Sequence, residues 1–160
     1  MPQFVFNKLV RDKVVQLCLD DPLVPETEYR TLSLLDFKQA LKDKVAEEAA
    51  EIPVQEEVDD EVIGEIADIQ EVIDAIKAAY GVDNQAVKDM QIQKAHKKGA
   101  FEKRHFIELV VCDETSPWTA MFRGQPEKYP ESGAKKPKPP ARPDLALGRY
   151  RHYKGGEYEA

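Results

Sequence analysis

Two interrupted apolar stripes constrain this chain more than any other feature. Residues three or four apart on a helix share a face, and Leu34, Phe37, Leu41, Val45 and Ile52 trace one such face. The position that continues it between Val45 and Ile52 is Glu48. A second stripe runs through Val58, Val62, Ile69, Val72 and Ile76, and its missing member is Glu65. Glu51 lies one turn beyond Glu48, and Asp68 one turn beyond Glu65. An antiparallel pairing of the two helices brings Glu48, Glu51, Glu65 and Asp68 together. Ionised carboxylates gathered in a partly buried place repel one another and lose hydration, at a cost of several kcal/mol per ion. A hard cation with oxygen ligands removes that conflict.

The donor set narrows the cation. Carboxylates alone suit magnesium or manganese. A di-iron bundle wants a Glu-x-x-His pair, and His96, His105 and His152 all lie outside the two acidic helices. A basic run, Lys94, Lys97, Lys98 and Arg104, follows further on. Together with Lys8 and Arg11 it is suited to holding phosphate oxygens. The plainer alternative for any one of these lysines is a cationic helix end that complements the helix dipole. No Gly-rich Walker loop and no hydrolase triad can be recognised.

The remaining elements follow from stop and start signals. A first helix is expected from about Asn7 to Leu19, ended by Asp20-Asp21-Pro22. Ser33, with Asp36 three residues on, predicts the start of the second helix, and Pro53 its end. The third helix is expected from Glu56-Glu57 to Tyr80, with Gly81 closing it. A fourth runs from Gln85 to about Lys98, before Gly99. Phe101 to Cys112, rich in aromatic and β-branched residues, predicts a strand. Prolines then accumulate, and residues 113–147 read as a linker with a local aromatic point at Trp118 and Phe122. Residues 148–160 regain aromatic alternation around a Gly-Gly turn signal and read as the truncated start of a small β domain.

The chain of 160 residues therefore divides into a helical unit over 1–112, the linker and the β segment. No apolar run is long enough to cross a membrane, and the opening Met-Pro-Gln-Phe has no leader pattern. Cys18 and Cys112 form no metal or redox motif, so reduced thiols in a cytoplasmic protein are expected. A net charge of −7 argues against a nucleic acid polymer as the main partner.

Four segments carry a family resemblance. They are Asn7-Lys8-Leu9-Val10-Arg11-Asp12-Lys13, Lys44-Val45-Ala46-Glu47-Glu48-Ala49-Ala50-Glu51, Glu65-Ile66-Ala67-Asp68 with its continuation to Ala75, and Lys97-Lys98-Gly99-Ala100-Phe101. Over residues 4–111 the chain resembles the MazG-like all-α nucleoside triphosphate pyrophosphohydrolases, relatives of phosphoribosyl-ATP pyrophosphohydrolase. The resemblance implies a four-helix MazG-like bundle completed by dimerisation, with the short C-terminal strand and the Pro-rich tail appended. It also implies magnesium-dependent cleavage of a nucleoside triphosphate to monophosphate and pyrophosphate, as nucleotide-pool house-cleaning. On that reading Glu48, Glu51, Glu65 and Asp68 hold the metal, and Glu47 and Glu48 serve catalysis. Lys8, Arg11, Asp12, Lys94, Lys97 and Lys98 contact the substrate, and an apolar base pocket lies beside the carboxylates. The family pattern in the third helix is Glu-Glu-x-x-Asp, and here its first position is Gly64. Phosphoribosyl-ATP is the alternative substrate, and a helical interaction module without turnover is the alternative in kind.

Overall fold

The computed structural model describes residues 1–131 and the backbone of 149–151 and 157–159. It is helical: α1 Asp12–Asp20, α2 Leu34–Glu51, α3 Asp60–Tyr80, α4 Asn84–Lys98 and α5 Pro117–Arg123. No described helix is long and apolar enough to cross a membrane. The remaining regular structure among the described residues is two three-residue strands, β1 Arg149–Arg151 and β2 Glu157–Glu159, paired antiparallel with Tyr150 opposite Tyr158. The rest of the tail lies outside the described residues.

Capping chemistry sets the main boundaries. The backbone N–H of Asp36 donates to Ser33 Oγ at 3.2 Å, which starts α2 where the sequence predicts. α3 begins later than Glu56-Glu57, because Asp59 caps it by accepting from the Val62 N–H at 3.0 Å. The preceding loop is held by Gln55, whose side-chain amide donates to the Glu57 carbonyl at 2.9 Å. Gly81, at φ 63°, closes α3. Its N–H donates to the Ala78 carbonyl and that of Val82 to the Lys77 carbonyl, a Schellman pattern that requires a left-handed residue.

α2 and α3 form the one substantial interhelical contact among the described residues. They run antiparallel: Lys38, early in α2, stacks over the ring of Tyr80 at the end of α3, 4.1 Å from its centroid. Leu41 (2% exposed) and Val72 (8%) are the buried apolar residues of the described chain. α1 contributes half-buried Val14, Val15 and Cys18, whereas every residue of α4 is exposed. The described chain is thus a helix hairpin with attached helices, not a four-helix bundle closed within one molecule.

Two further expectations change. Residues 101–112 form no strand. A strand needs a neighbour for its backbone groups and a surface for one face, and the described residues supply neither; Phe101 is 94% exposed. Arg104 instead takes a left-handed backbone, φ 53°, in a turn closed by its N–H to the Phe101 carbonyl. Within the stretch read as linker, α5 forms on an N-cap at Ser116. Arg123 clamps Glu114 and Glu131 there, and Trp118, Phe122 and Tyr129 stack in sequence at 5.7 and 4.7 Å.

Leu41→Ala should cost about 2–5 kcal/mol in urea unfolding. Gly64→Ala should do the opposite. Gly64 is exposed inside α3, and an added Cβ meets nothing within 4 Å, so a gain of about 0.5–1 kcal/mol is expected.

Candidate metal centre

The α2–α3 pairing turns the two interrupted stripes toward each other. Burying Leu41 carries Glu48, seven residues on and on the same face, inward to 7% exposure. Across the interface α3 presents Glu65 and, one turn on, Asp68, both half-buried. One carboxylate oxygen from each of Glu48, Glu65 and Asp68 lies within 4.8 Å of the others. Oxygens on opposite sides of a magnesium- or calcium-sized cation, bound at about 2.1–2.5 Å each, span a similar distance. Glu51 is exposed and outside this group, at the end of α2.

Cations surround the cluster unevenly. Lys44 Nζ reaches Glu48 Oε1 at 2.8 Å and Glu47 Oε1 at 3.2 Å. Burial works against the Lys44 charge, but its hydrogen bonds to Glu48 and Glu47 outweigh that and raise its pKa above the ordinary lysine value. Lys8 donates to Glu47 at 2.7 Å, and this bond, helped by Lys44 against the effect of burial, lowers the Glu47 pKa. Arg11 pairs with Asp68. Among the described residues no cation pairs with Glu65, and its Oε2 is buried without a hydrogen-bond partner. Burial, then the charges of Glu51, Asp68, Glu48 and Glu61, push its pKa above the ordinary glutamate value. An orphaned, partly buried acceptor facing two more carboxylates fits a divalent cation.

Of the residues expected at the site, the structure brings together Glu47, Glu48, Glu65, Asp68, Lys8 and Arg11. Asp12 opens α1 on the exposed surface. Lys94, Lys97 and Lys98 lie on exposed α4, which the structure does not pack against the carboxylates. Lys94 instead borders a shallow concavity of about 480 Å³ lined also by Val82, Ala86, Val87 and Met90. Lys44 was not anticipated as part of the site. Its signal was present in the sequence, three and four residues before Glu47 and Glu48.

No family model, curated protein or solved structure matches this chain.

The opposed shifts of Glu65 and Glu47 predict opposite pH behaviour. With its pKa raised by folding, Glu65 keeps a proton that the unfolded chain has already released. Stability therefore falls as pH rises from the ordinary glutamate value through the raised one. In EDTA, Glu65→Gln should raise Tm at pH 7.5, and the gain should vanish near pH 4, where Glu65 is largely protonated in both states. Glu47, with its pKa lowered, stabilises at neutral pH, and that contribution is lost as pH falls through the lowered value. Glu47→Gln should therefore lower Tm at pH 7.5. Thermal melts of both variants at the two pH values check the signs.

Proposed function

We propose that this chain is a magnesium-dependent nucleoside triphosphate pyrophosphohydrolase of the MazG-like kind, releasing nucleoside monophosphate and pyrophosphate for nucleotide-pool house-cleaning. The observation that carries the reading is the convergence of Glu48, Glu65 and Asp68 from two facing helices, with the Glu65 oxygen unpartnered. These three residues would hold magnesium or manganese, with Glu51 adding negative field from the end of α2. Such a cation neutralises charge on phosphate oxygens and acidifies water. Glu47, kept anionic by Lys8 and Lys44, orients the attacking water as a hydrogen-bond acceptor. Lys8 and Arg11, already at the cluster, steady the triphosphate.

The exposed apolar residues support a homodimer. Leu34, Leu35, Ile66, Ile73, Val87, Met90 and Ile92 remain exposed on α2, α3 and α4. A second copy would cover such surface, completing the bundle and the base pocket. The rival reading, a helical interaction module without turnover, draws on one observation: Lys8, Arg11 and Lys44 already pair with Glu47, Glu48 and Asp68.

Magnesium-dependent pyrophosphate release, assayed over a panel of triphosphates and phosphoribosyl-ATP, separates the two. Glu48→Gln and Asp68→Asn should each weaken magnesium binding in calorimetry. Each should also reduce turnover by about 100-fold or more, since the cation acts chiefly on transition-state charge. Unchanged turnover in both variants would exclude this site. Light scattering at micromolar concentration should give about twice the chain mass.

A further inference from the structure

The N-terminal segment carries two cations into the carboxylate cluster. Asn7 adopts a left-handed backbone, φ 44°, which its short polar side chain tolerates. The chain then passes Lys8 and Arg11 before α1 begins. Lys8 meets Glu47 across 39 positions, and Arg11 meets Asp68 across 57. Asp68 thus has two claims on it. It accepts from Arg11, and it offers an oxygen to the three-carboxylate group. A guanidinium and a divalent cation against one carboxylate repel each other strongly at such short range.

The two cations of the cluster that could yield are differently held. Lys44 is fixed on α2 beside its acceptors and is only 18% exposed. The Arg11 side chain is 60% exposed and its partner Asp68 40% exposed, and Arg11 precedes α1 outside any helix. Exposed ion pairs are weak, so Arg11 can leave Asp68 without disturbing the α2–α3 contact. A freed guanidinium beside a bound cation is suited to bidentate capture of phosphate oxygens.

We propose that Arg11 and the divalent cation compete for Asp68, and that the displaced guanidinium becomes the group that positions the substrate's phosphates. The inference rests on the metal reading above. It makes cation and phosphate binding respond to Arg11 in opposite directions, which a merely structural ion pair would not do.

The test uses the full chain, with Mn²⁺ and inorganic tripolyphosphate as probes in calorimetry. Arg11→Gln should bind Mn²⁺ about two- to fivefold more tightly than wild type, as the loss of a weak exposed pair predicts. With Mn²⁺ saturating, tripolyphosphate should bind the variant about tenfold more weakly. Lys13→Gln, which removes the same charge from exposed α1, controls for general electrostatics and should show neither change. Equal or weaker Mn²⁺ affinity in Arg11→Gln overturns the exchange while leaving the cation site standing. An equal gain in Lys13→Gln, or unchanged tripolyphosphate affinity in Arg11→Gln, does the same. Failure of wild type and Arg11→Gln alike to bind Mn²⁺ overturns both the exchange and the metal reading.

Discussion

The apposition of α2 and α3 is the constraint on which the rest of the structure depends. It encloses Leu41 and Val72, and the same helical phase drives Glu48 and Glu65 into the interface. The opposing magnitudes are comparable. Burying a leucine contributes about 1.5–3 kcal/mol, whereas a buried carboxylate without compensation costs several. Answering the buried part of that acidic charge, above all at Glu48, therefore favours the hairpin. Lys44 answers Glu47 and Glu48 from within α2, and the N-terminal segment supplies Lys8 and Arg11 from far along the chain.

What remains unanswered is localised. Glu65 carries an unpartnered buried oxygen and a raised pKa, while its neighbour across the interface, Glu48, is held by a lysine. Proteins tend to break the rules of local consistency at functional positions and compensate elsewhere. The residual conflict at Glu65 has that form: an acceptor without a partner beside the carboxylates of Glu48 and Asp68. Gly64, next to it, fits the same picture. It leaves an open, exposed face on α3 directly beside Glu65.

The apolar surface is distributed differently from the charge. α4 has only a modest apolar face, Val87, Met90 and Ile92, and is exposed along its whole length, and the stretch rich in β-branched residues after it forms no ladder. Both keep apolar side chains exposed, Met90 and Ile92 on α4 and Phe106, Ile107 and Leu109 after it. By contrast, residues 113–131 satisfy themselves locally. Arg123 bridges two glutamates eight and nine residues away, and three aromatic rings stack within twelve positions. Short-range contacts of this sort form without help from the hairpin.

The sequence by itself determined the elements whose causes are local. Ser33 and Gly81 set helix ends through local capping hydrogen bonds and one left-handed residue, and the phase of the stripes put Glu48 and Glu65 on core-facing positions. The 3.6-residue period, which converts spacing into facing, made the convergence of Glu48, Glu65 and Asp68 legible, but it also placed Glu51 with them, and Glu51 lies outside the group. Caps that compete were not legible. Asp59, not Glu56-Glu57, opens α3 because its side chain reaches the Val62 N–H. Only the tertiary structure decided which cation meets which carboxylate. Arg11 reaches Asp68 across 57 residues, and no periodicity encodes a contact of that range. It decided, too, that Lys94, Lys97 and Lys98 stand apart from the cluster and that residues 101–112 stay unpaired. Both outcomes turn on whether a complementary surface lies nearby, and that surface exists only once the chain has folded.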